Sequence, residues 1–124
     1  MSEKHSEDFL RLANMAKECI KQVKPAEVAT LVGSGALLLD VREQDEFAQG
    51  HLAKAAHLSR GLLEMKIHEI AQGKSKPIVC YCSGGNRGAL AANALQQMGY
   101  TQVFSIEGGL DACRAAGQPV SPPP

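Results

Sequence analysis

Cys82 opens the stretch Cys82-Ser83-Gly84-Gly85-Asn86-Arg87, which ends on a permanent cation. A cysteine reacts as its thiolate, and that anion is favoured where N–H donors, a helix N-terminus or a fixed charge converge on the sulfur. The stretch supplies all of these. Gly84 and Gly85 allow backbone conformations closed to other residues, so successive amides can turn toward one point. The helix-forming run that starts at Gly88 follows directly, and its first-turn amides have no partner inside the helix. Arg87 adds a forked guanidinium at the helix start. The predicted chemistry is nucleophilic attack by Cys82, with the amides of Ser83, Gly84, Gly85, Asn86, Arg87 and Gly88 cradling an anionic substrate. Such a loop makes its own nucleophile and requires no histidine.

Other residues with chemical capacity have a structural reading beside the functional one. Asp40-Val41-Arg42 places an acid and a base two apart, on one side of an extended chain, where they would support the end of a strand as an ion pair. His51 could serve as a base, but nothing sets it beside Cys82, so a structural hydrogen bond is expected. Arg60 follows a weak strand and could fall at the C-terminal rim of a parallel sheet, where ligands bind, although a solvated charge is the expected reading. His68 reads as surface. Cys80, two residues before Cys82, could in principle resolve an oxidised or persulfidated Cys82 as a disulfide. A place inside a strand argues against that. The four cysteines, at 19, 80, 82 and 113, lack the paired spacing of a zinc site, so no metal and no cofactor is expected.

These residues need elements to hold them. Residues 77–81 (Pro77-Ile78-Val79-Cys80-Tyr81) and residues 36–41 are nearly continuous apolar runs, as strands buried on both faces should be. Residues 22–24, 55–58 and 103–106 read as shorter strands. Helical periodicity marks residues 6–20, 26–32, 62–70 and 88–98, with short helices after Arg42 and after Gly108-Gly109. Gly50-His51-Leu52 reads as a turn. Pro119 and the Pro122-Pro123-Pro124 tail are expected to stop regular structure. Alternation of short strands with helices predicts a three-layer α/β/α fold on a mostly parallel sheet of about five strands, plus an extra N-terminal helix. The expected division is an N-terminal extension over 1–21, one domain over 22–120 and a tail over 121–124.

The first helix is amphipathic, with Phe9, Leu10, Ala13, Met15, Ala16, Cys19 and Ile20 as its apolar set. Packing on its own domain is expected, with docking of a partner as the alternative and membrane-surface binding a distant third. Cys19 is expected to be a small core residue. Thirteen basic residues balance thirteen acidic ones and there is no tryptophan, which argues against a nucleic-acid partner. No long apolar segment predicts a membrane span, and a cytoplasmic setting suits a working thiol.

Five stretches together resemble the rhodanese-like domains, in particular the small single-domain sulfurtransferases. They are Leu38-Leu39-Asp40-Val41-Arg42-Glu43, Phe47-Ala48-Gln49-Gly50-His51-Leu52, the loop from Cys80 to Gly88, Glu107-Gly108-Gly109-Leu110, and Ala116-Gly117-Gln118-Pro119-Val120. The resemblance implies that Cys82 takes a sulfane sulfur from a donor such as thiosulfate, holds it as a persulfide, and passes it to cyanide or a thiol, protein thiols among them. It departs from the family pattern at Ala53-Lys54, at Cys113 where a tryptophan is common, and at Gly88 where a hydroxyl residue is common. Two other classes stay open. A non-catalytic binding module could share the fold, and cysteine-dependent phosphatases or arsenate reductases use a related loop. Their loop has five residues between cysteine and arginine, and this chain has four.

Overall fold

Every residue of the Ile78–Tyr81 strand is fully buried, which the apolar run required and which only a central strand covered on both faces can satisfy. The computed structural model describes residues 5–121, and the Pro122-Pro123-Pro124 tail lies outside them. In chain order the elements are α1 (Glu7–Cys19), β1 (Lys21–Val23), α2 (Pro25–Gly33), β2 (Leu37–Asp40), α3 (Gln44–Gln49), β3 (His51–Leu52), β4 (Ala56–His57), α4 (Leu63–Lys66), β5 (Ile78–Tyr81), α5 (Asn86–Gln97), β6 (Val103–Ile106), α6 (Gly109–Ala115) and β7 (Val120–Ser121).

Five strands form one sheet in the order β1-β6-β5-β2-β4, with every pair parallel. Side chains alternate across it. Leu39, Ile78 and Cys80 join Leu63, Ile67, Ala92 and Leu95 in one core layer, while Leu38, Val79 and Tyr81 join Val28, Leu110 and Cys113 in the other. The predicted mostly parallel α/β fold is thus the one observed. From β5 the chain crosses to β6, and from β2 it crosses to β4, so the connections leave these adjacent strands toward opposite edges. A crevice opens at such a divide, beyond the carboxyl ends of the strands. The Cys82 loop and the Asp40-Val41-Arg42 segment both start there.

Four local expectations are corrected. Cys19 is exposed, because the buried face of α1 runs through Ala13 and Ala16, whose small side chains let the helix lie against α5. Leu10, Leu12 and Met15 also point outward. The 62–70 helix is a single α turn between two 3-10 turns, anchored by Leu63 and Ile67 with no side-chain caps. His51-Leu52 and Val120-Ser121 are not a turn and a structureless end but an antiparallel clip, β3 with β7. Its pairing joins distant segments, which no local pattern reveals. Among the described residues no helix is long and apolar enough to cross a membrane.

Candidate active site

Cys82 follows β5 directly and is 2% exposed, its side chain seated among the apolar residues beneath α5. The Gly85 N–H donates to its Sγ at 3.2 Å. That contact requires Gly85 at φ +111°, where a Cβ would also approach the backbone of Gly108 at 3.3 Å. Gly85 is the N-cap of α5 and no side chain caps the helix, so its first-turn amides, on Asn86, Arg87 and Gly88, are left for a ligand. Gly88 lets α5 lie against β5: a Cβ there would sit 3.1 Å from Tyr81 Cα and 3.2 Å from Ser105 Oγ, a buried hydroxyl with no partner.

The loop is also held from outside. The Leu110 N–H donates to the Cys82 carbonyl at 2.8 Å and the Asp111 N–H to the Ser83 carbonyl at 3.0 Å. The start of α6 can come this close only because Gly109, at φ +61°, has no side chain; a Cβ would lie 2.5 Å from the Cys82 carbonyl oxygen.

Arg87 does not stand free. Its Nη1 and Nη2 donate to the two oxygens of Glu46 at 2.7 and 3.0 Å, with Ser83 Oγ a further 3.4 Å contact. The Glu46 carboxyl is held down at about 2, chiefly by the Arg87 hydrogen bonds and, in lesser part, by the Glu43 N–H of its own helix start, while partial burial opposes them. The sequence reading missed Glu46. Its helix-starting position was legible, but its partner lies 41 residues away.

Asp40 and Arg42 form the expected ion pair, at 2.8 Å and almost wholly buried, and Arg42 Nη2 also donates to the Gly50 carbonyl. The pair fixes the end of β2. His51 Nδ1–H donates to the Phe47 carbonyl, and its ring stacks on Phe47 at 3.7 Å between centroids. Arg60 pairs with Glu64 at 2.8 Å and does not line the cleft over Cys82. Cys80 is fully buried, and desolvation pushes its thiol up to about 12. The cleft itself, about 300 Å³, is walled by Cys82, Ser83, Gly84, Asn86, Arg87, Glu46 and Asp111, and by His5 and Phe9 at the start of the chain.

A parallel α/β sheet with a cysteine at the start of the amide-rich loop between a central strand and its helix defines the class of domain. The chain belongs to the rhodanese-like domain family, whose model matches residues 24–116. It is a transferase of the rhodanese type. It is 32% identical over 100 residues to the thiosulfate sulfurtransferase GlpE of Pseudomonas savastanoi, covering 77% of this chain and 88% of that one. Among solved structures, a Rhodopseudomonas palustris protein of unknown function, described as a possible tyrosine phosphatase, is similar at 30% identity and TM-score 0.80, covering 98% of this chain and 99% of that one. The polysulfide-sulfur transferase homodimer of Wolinella succinogenes is similar at 29% identity and TM-score 0.77, covering 91% and 86%.

Proposed function

We propose that the protein moves a sulfane sulfur, from thiosulfate or another persulfide-type donor, to cyanide or a thiol through a persulfide on Cys82. One observation carries the reading: Cys82 lines a cleft, and its Sγ accepts from the Gly85 N–H at the uncapped start of α5. The Cys82 thiolate attacks the outer sulfur of the donor. A new S–S bond forms, the donor's own S–S bond breaks, and the rest of the donor, sulfite from thiosulfate or a thiolate from a persulfide, leaves with the electron pair. An acceptor then attacks the outer sulfur of the persulfide and Cys82 leaves as thiolate. Negative charge moves by one atom between the two states, and amides of residues 83–88 can serve both without a proton relay.

Arg87 acts here as a positioning residue, bracing the loop wall through Glu46 and Ser83. The same pairing weighs against the phosphatase and arsenate reductase alternatives, which need the loop arginine on the oxyanion and a longer loop to surround it. A reducing compartment keeps the Cys82 thiol free of disulfides and ready to attack a donor, and on that ground a cytoplasmic setting belongs to this reading.

The test is the mass of the intact protein after thiosulfate, in wild type and Cys82→Ser. A gain of about one sulfur atom (~32 Da) on wild type alone, removed by cyanide as thiocyanate, is the expected result. No gain with thiosulfate, organic thiosulfonates or persulfides would overturn the reading and leave a binding module.

A further inference from the structure

The cleft over Cys82 is not walled by the rhodanese-like domain alone. The family model begins at residue 24, yet His5 and Phe9, on the N-terminal side and in the first turn of α1, line the same cleft as Cys82, Arg87 and Asp111. The two rings meet at 4.9 Å between centroids, tilted by 53°. Packing of Ala13 and Ala16 against α5 fixes the helix, so Phe9 is carried to the cleft by a built element, with His5 beside it just before the N-cap.

Charge in the cleft runs against a small dianion. Among the described residues that line it, Arg87 is the one guanidinium or ammonium, and both its terminal nitrogens are taken by Glu46. Asp111 adds a second carboxylate to the wall. The space, about 300 Å³, is at the size where small organic ligands are held, larger than a lone sulfur oxyanion needs.

Resting on the sulfurtransferase reading, we propose that α1 is a specificity element of the active site, with Phe9 and His5 selecting sulfane-sulfur donors that carry an apolar or aromatic organic group over inorganic thiosulfate. The organic group packs on the Phe9 ring while its outer sulfur reaches Cys82. For a thiosulfonate, the Cys82 thiolate bonds to the terminal sulfur, the bond from that sulfur to the sulfonyl sulfur breaks, and a sulfinate leaves with the electron pair. Charge is conserved, and no oxidant or reductant enters.

Benzenethiosulfonate and methanethiosulfonate transfer the same sulfur from the same functional group and differ only in the organic part. We expect wild type to favour the benzene donor in kcat/KM, and Phe9→Ala to shrink that preference roughly 5- to 10-fold, the scale of one lost aromatic contact. His5→Ala, at an exposed position, should shrink it less, and Phe9→Leu should fall between while keeping the helix signal in circular dichroism. A preference unchanged within about twofold in Phe9→Ala, whether both rates fall or neither does, overturns the proposal. So does a wild type that favours the methane donor. A wild type that accepts sulfur from neither donor nor from thiosulfate instead overturns the transfer chemistry itself, and this inference with it.

Discussion

Replacing Glu46 by glutamine keeps the shape of the side chain and removes the charge that holds Arg87. Glu46 is at about 2 in the folded protein against an ordinary 4.5, a difference of about 3 kcal/mol for an unscreened pair. Both side chains are 32% exposed, so solvent screening reduces the expected contribution to about 1–2 kcal/mol. The sign follows from linkage. A carboxyl lowered on folding stabilises the native state above its unfolded value, and that stability is lost as pH falls from about 5 toward about 2. Urea unfolding of wild type and Glu46→Gln should therefore differ by about 1–2 kcal/mol near neutral pH, and the gap should narrow when the pair is compared near pH 2.5. The variant also frees the Arg87 guanidinium in a cleft where, among the described residues, no other carboxylate is bonded to it. Thiosulfate should then bind more tightly, with KM lower by about threefold or more, the scale of one partly screened charge pair. Equal stability of the two proteins at neutral pH, or a gap that does not change with pH, would refute the assignment of Glu46 as the loop's brace.

Two further outcomes follow from the packing around the loop. Gly109→Ala places a methyl group 2.5 Å from the Cys82 carbonyl oxygen at a φ of +61°, so it should cost about 3 kcal/mol or more and displace the loop; thermal unfolding and persulfide yield report both. Cys80, buried with its thiol pushed up to about 12, should resist iodoacetamide in the native protein near pH ~8, while exposed Cys19 reacts, as peptide mass mapping would show.

The Cys82 loop, the buried strand before it, the helix after it and the Asp40–Arg42 pair were legible because each rests on neighbours in the chain: apolar continuity, paired glycines, an acid and a base two apart. The place of Cys80 inside β5 was legible for the same reason. Misreadings arose where the deciding contact was distant. Cys19 sits one step off a face set by how closely two alanines approach α5, and the β3 and β7 clip joins segments that share no local signal. Arg87 looked like a free cation because the residue that binds it, Glu46, arrives from the neighbouring strand's connection. Phe9 reads as one end of an amphipathic helix, and its place at the cleft beside His5 depends on how α1 lies on α5. The sequence by itself determined that a cysteine opens a loop between strand and helix and how the backbone beside it must turn, since bond geometry and helix polarity act over a few residues. Which charges are spent, and which side chains face the sulfur, only the tertiary structure decided, since those depend on packing between elements far apart in the chain.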